Sequence, residues 1–163
     1  MTISRSKRNL LFGRPANQQP LRPPWAVEEA RFVRLCDRCG DCVRECPQGI
    51  IRIGDGGYPE IDFQSSGCDY CEACVAVCTP EALKMGGRAP WQQVAQIDDR
   101  CFSERGVICR SCGEVCETEA IRFTQVVGGI THVHMATAAC TGCGECVSIC
   151  PAGAITINRQ HPE

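Results

Sequence analysis

Cys36-Asp37-Arg38-Cys39-Gly40-Asp41-Cys42-Val43-Arg44-Glu45-Cys46-Pro47 opens the part of this chain whose reading decides its fold. The spacing is Cys-x2-Cys-x2-Cys-x3-Cys. It recurs at Cys68, Cys71, Cys74 and Cys78 and at Cys140, Cys143, Cys146 and Cys150, and in altered form at Cys101, Cys109, Cys112 and Cys116. These four runs hold all 16 cysteines of the chain. Two-residue gaps let a tight loop wrap three thiolates around one face of a cubane [4Fe–4S] cluster. The three-residue gap then carries the chain into a short helix whose cysteine ligates the neighbouring cluster.

Other uses of so many thiols fit less well. A disulfide scaffold belongs to secreted chains, and no apolar signal region opens this one. Structural zinc draws two separated pairs into one tetrahedron, whereas here four thiols crowd into each short run. A thioredoxin-like pair needs a single Cys-x2-Cys beside a βαβ pattern.

The crossed fourth ligand assigns four [4Fe–4S] clusters. Cluster one takes Cys36, Cys39, Cys42 and Cys78; cluster two takes Cys68, Cys71, Cys74 and Cys46. Cluster three takes Cys101, Cys109, Cys112 and Cys150; cluster four takes Cys140, Cys143, Cys146 and Cys116. Pro47 and Pro151 fix the backbone as it leaves the last cysteine of their runs. Thr79-Pro80 delays the proline by one residue, and Glu117 replaces it. The seven-residue gap after Cys101 is the largest departure.

Strand patterns follow each run. Gly49–Ile53 and Glu60–Phe63 flank a turn at Asp55-Gly56-Gly57, and Ala120–Thr124 and Ile130–His134 flank Gly128-Gly129; both read as two-stranded ribbons. Glu81–Met85 and Ala154–Asn158 are expected to pair with strands ahead of their module's first cysteine, such as Val94–Ile97. The fold class is therefore α+β, two tandem bacterial-ferredoxin modules. The expected division is a basic, proline-rich arm over residues 1–30, a first module over 31–88 and a second over 89–163. Modules this small bury little core and need a staple, so folding is expected to be coupled to cluster insertion.

Charge is unevenly spread. Residues 1–35 carry seven basic and two acidic side chains, which leaves ten basic and seventeen acidic beyond them. Clusters of about −2 each deepen the acidity of the body, which argues against nucleic acid as a partner. No run of about eighteen apolar residues is present to span a membrane. Ser6–Leu11 is similar to a twin-arginine export motif, but Gly13, Arg14 and Pro15 break the stretch that should follow. A cytoplasmic protein is expected, since thiols stay reduced there until they take up metal. His132 and His134 alternate on one strand face and are expected to be solvated. No Ser/His/Asp set, phosphate-binding loop or dinucleotide-binding glycine motif is present, so no independent catalytic site is expected.

The chain resembles the ferredoxin-type NapF family of periplasmic nitrate reductase systems. The resemblance rests on Ser-x-Arg-x-Leu-Leu-x-Gly-Arg from Ser6 to Arg14, on Arg22-Pro23-Pro24-Trp25, on Gly56-Gly57-Tyr58-Pro59 and on the gap after Cys101, which is normal in that family. It implies a protein that contacts the nitrate reductase catalytic subunit before export and assists its iron–sulfur maturation. A soluble electron carrier and an electron-wire subunit of an oxidoreductase stay open. The arm holds no ligand, so its removal is expected to leave iron content unchanged, with Leu10, Leu11, Phe12 and Trp25 anchoring on the partner.

Overall fold

Four copies of one short motif build the molecule. After the last cysteine of each run come Gly49-Ile50-Ile51, Glu81-Ala82-Leu83, Glu119-Ala120-Ile121 and Gly153-Ala154-Ile155. In every copy the first residue is left-handed, with φ of 63°, 55°, 50° and 56°, and the two that follow are buried. The left-handed residue turns the chain sharply out of the helix that precedes it, and the next two drop into the core. The computed structural model describes residues 20–86, 90–126 and 131–159. The Ser6–Arg14 motif, Leu10, Leu11, Phe12 and the Gly128-Gly129 turn lie outside the described residues.

In chain order the elements are α1 (Glu29–Leu35), α2 (Asp41–Arg44), β1 (Ile51–Ile53), a 3-10 turn (Asp55–Gly57), β2 (Pro59–Ile61) and α3 (Ala73–Ala76). The second half continues with β3 (Gln93–Ile97), α4 (Ser111–Glu114), β4 (Ile121–Gln125), β5 (Thr131–Met135), α5 (Glu145–Ser148) and β6 (Ile155–Arg159). Three antiparallel ribbons result. β1 pairs with β2 in the register Arg52 opposite Glu60, β4 with β5 with Phe123 opposite Val133, and β3 with β6 with Ala95 opposite Ile157. The tandem ferredoxin modules expected from the cysteine runs are present, each with a hairpin between its runs.

The first module lacks the outer ribbon of the second. Where β3 and β6 form five residue pairs, the first module has a single bridge between Ala26 and Leu83. Pro23 and Pro24 lack the amide hydrogens a ladder needs, and Trp25 sits at φ 59°, which ends any strand there. Helix α1 fills the space instead, with Glu28 capping the Ala30 and Arg31 amides and Phe32 wholly buried.

The segment expected as a separate arm is therefore, from residue 20 onward, built into the first module. The Leu21 carbonyl accepts from Ile61 N at 2.8 Å. Arg22 is only 2% exposed; it pairs with Glu29 at 2.7 Å and Glu60 at 3.8 Å and donates to the Pro59 carbonyl. Its guanidinium lies 5.0 Å from the Phe32 ring centre and 5.4 Å from that of Tyr58. Trp25, expected on a partner, packs edge-on to Tyr70 within the chain. From residue 20 onward the segment thus buries an arginine and completes the core of the first module.

Candidate metal centres

Backbone conformation shapes the three-thiol loops. In Cys36–Cys42, Arg38 and Gly40 are left-handed; in Cys68–Cys74, Tyr70 and Glu72; in Cys140–Cys146, Gly142 and Gly144. Left-handed residues one before and one after the middle cysteine curl each loop into an arc with its thiols inward. Arg38, Tyr70 and Glu72 hold this shape without glycine, a conformation that costs a side-chain-bearing residue about 1 kcal/mol or more. The third cysteine of each run lies in a single helical turn, and Cys74, Cys112 and Cys146 are buried there.

The third run reaches the same end by another route. Arg110 has an ordinary φ of −133°, and the chain between Cys101 and Cys109 closes on itself. Arg105 N donates to the Cys101 carbonyl, Val107 N to the Phe102 carbonyl at 2.9 Å and Gly106 N to the Ser103 carbonyl. The buried Ser103 hydroxyl donates to the Cys109 carbonyl, which returns Cys109 beside Cys101. Glu104 reaches across to β5, accepting from Val133 N at 2.8 Å and pairing with His132. The Val133 amide first, then His132, holds the Glu104 carboxyl below its usual range. His132 and His134 are exposed, as their alternation implies. Ser103 and Glu104 carry no signal in the sequence; only the length of the gap hints that something must close it.

The sixteen thiols gather in four sets of four, each crossing between runs. Cys36, Cys39, Cys42 and Cys78 line a hollow partly open to solvent, walled by Phe32, Val43, Pro59 and Leu83. Cys46, Cys68, Cys71 and Cys74 line another beneath Trp25, Ile50 and Tyr70. Cys101, Cys109, Cys112 and Cys150 line a third beside Phe102 and Phe123. Cys146 has Cys143, Cys140, Cys112 and Cys116 as charged neighbours; with Cys112 lining the third hollow, Cys116, Cys140, Cys143 and Cys146 make the fourth set.

Burial, then the neighbouring thiolates, pushes Cys42 and Cys112 up to about 11 and Cys74 and Cys146 up to about 12. Without metal these sulfurs keep their protons. Cluster loading must therefore release protons as iron replaces them. Amide hydrogens point at the sulfurs that close three of the four sets: Leu83 N to Cys78 Sγ at 3.3 Å, Ala120 N to Cys116 Sγ at 3.3 Å and Ala154 N to Cys150 Sγ at 3.4 Å. Such bonds stabilise thiolate and raise the reduction potential of a bound cluster. Among the described residues no three Cys, His, Asp or Glu side chains converge at the spacing of a single metal ion. Four thiols arranged around a hollow, with amides aimed at sulfur, fit a multi-iron cluster.

Residues 35–82 and 107–154 each match the model of the 4Fe-4S dicluster domain family. The first segment contains both of its runs; the second begins after Cys101. Over its whole length the chain is similar to the ferredoxin-type protein NapF of Escherichia coli (strain K12), 35% identical over 162 residues that cover 99% of each chain. It is 39% identical to the ferredoxin-type protein NapF of Haemophilus influenzae over 138 residues, 85% of this chain and 78% of the other. The methylamine utilization ferredoxin-type protein MauM of Methylorubrum extorquens is 32% identical over 162 residues, covering 87% of this chain and 73% of its own.

Proposed function

The chain belongs to the NapF family of ferredoxin-type proteins, and from that membership we propose that it is a cytoplasmic iron–sulfur accessory protein of periplasmic nitrate reductase. In this reading it binds the catalytic subunit before export and assists that subunit's iron–sulfur maturation. It carries four [4Fe–4S] clusters, one in each set of thiols, and has no catalytic site of its own. The observation that carries the reading is likeness over nearly the full chain, which takes in both the N-terminal segment and the gap after Cys101.

The chain's own residues supply the cradle. Cysteine thiolates hold each cluster, amides at Leu83, Ala120 and Ala154 tune the sulfur charge, and the Phe32, Trp25 and Phe123 walls limit water. A bound cluster supplies one-electron exchange or iron and sulfide for assembly. Cys39 and Cys71 are exposed, which favours a second reading as an electron carrier, since a cluster near the surface can exchange electrons with a docked partner.

A pull-down from cytosol distinguishes these roles. The accessory reading expects the tagged protein to capture the unexported, cofactor-poor catalytic subunit and to release the mature enzyme. Stoichiometric recovery with mature enzyme would instead make it a permanent electron-wire subunit.

A further inference from the structure

The two modules meet through cluster loops, and beside these Trp25 N donates to the Pro90 carbonyl, Trp91 Nε1 to the Arg22 carbonyl and Arg159 to the Pro20 carbonyl. Cys68 N donates to the Cys143 carbonyl at 2.8 Å, so ligand backbones of the second and fourth sets are directly hydrogen-bonded. Gly67 N donates to Glu145 Oε2 at 2.7 Å, and the Tyr70 hydroxyl donates to the Thr141 carbonyl at 2.9 Å. Contact is close enough to exclude side chains. A Cβ on Gly67 would lie 2.7 Å from the Glu145 amide nitrogen, and one on Gly144 would lie 2.2 Å from the Phe63 ring. Phe63 and Tyr70 both pack edge-on to Trp91, at 5.8 Å between ring centres. The Tyr70 phenol lies within electrostatic reach of Cys68 on its own module and of Cys143 and Cys140 on the other.

Within each module the sets are also neighbours. Cys74 senses the charge of Cys42, and Cys146 that of Cys112. The first and second hollows are lined by first-module residues and the third by second-module residues, while the contacts across the junction come from the Cys68 and Cys143 loops.

We propose that the interlocked Gly67–Tyr70 and Thr141–Glu145 loops join the four clusters into one linear order, one–two–four–three, with Tyr70 as the positioning residue at the inter-module step. Clusters one and three are then the two ends, and clusters two and four form the middle. An electron crossing between modules leaves cluster two oxidised and cluster four reduced, or the reverse, with no proton or bond change. The order depends on clusters filling the cradles, and it is independent of any nitrate reductase partner.

The test is EPR of the isolated, dithionite-reduced full-length protein, with iron and sulfide measured on the same sample. Gly67 has a φ outside the left-handed range, so Gly67→Ala strains no backbone and acts only as a wedge between modules. It is expected to keep its iron and to show weaker inter-module spin–spin broadening than the wild type. Gly86→Ala, whose Cβ meets nothing within 4 Å, is expected to match the wild type. Superimposable spectra for wild type and Gly67→Ala overturn the proposed order. If Gly67→Ala loses iron, Tyr70→Phe decides: reduced broadening supports the junction and an unchanged spectrum overturns it. A wild-type sample without cubane signals overturns the cluster reading itself.

Discussion

The first module holds its thiols with a buried arginine, and the second holds the equivalent thiols with a sheet. Arg22, Phe32, Tyr58, Glu29 and Glu60 occupy in one half the structural role that five residue pairs of β3 and β6 fill in the other. The hairpins differ too, with three pairs between β1 and β2 against five between β4 and β5. Yet the buried pair after each fourth cysteine and the left-handed turn before it are the same in both. The difference teaches that the loop and turn conformations around the runs are shared between the modules, and that the surrounding scaffold can be exchanged so long as it covers the clusters.

The largest effect that would break this comparison lies at Arg22. Removing one partner of a buried ion pair costs about 3–5 kcal/mol, so Arg22→Ala is expected to destabilise the first module by about 3 kcal/mol. The expected readout is early loss of roughly half the visible absorbance in a denaturant titration, with the second module bleaching later. Arg100→Ala removes an exposed pair with Asp98, which water screens, and is expected to leave the denaturation midpoint almost where it is in the wild type. Equal midpoints for the two variants would show that the buried arginine does not replace the missing ribbon.

A smaller effect sharpens the part the modules share. The turn after the fourth cysteine uses Gly49 and Gly153 in the outer runs and Glu81 and Glu119 in the inner ones. Open space surrounds the Cβ position of Gly153, so Gly153→Glu tests backbone conformation alone. It is expected to destabilise by about 1 kcal/mol, and Glu119→Gly to stabilise by a similar amount. Thermal midpoints that do not move in opposite directions would mean the left-handed turn is not strained.

Much of this was legible in the sequence. The cysteine spacing implied four crossed sets and two modules, and alternation placed all three ribbons close to where they lie. The first module's outer strand was misjudged because Glu81–Met85 has strand character but faces Pro23-Pro24-Trp25, which cannot form a ladder. Arg22 read as one more charge in a basic arm, since its partners Glu29 and Glu60 are brought to it only by the fold. Closure of the gap after Cys101 depends on Ser103 and Glu104 finding the Cys109 carbonyl and β5, contacts without a periodic signature. The module junction was equally hidden, because Gly67 and Gly144 look like ordinary turn residues until the opposite loop is seen against them.

Iron and acid-labile sulfide per chain, determined on protein purified or reconstituted without oxygen, test the central claim most directly. Four cubane clusters held by crossed sets of thiols require about 16 iron and about 16 sulfide per chain, with chelation unfolding both modules. Saturation at about half those values, or zinc without labile sulfide, would contradict the account.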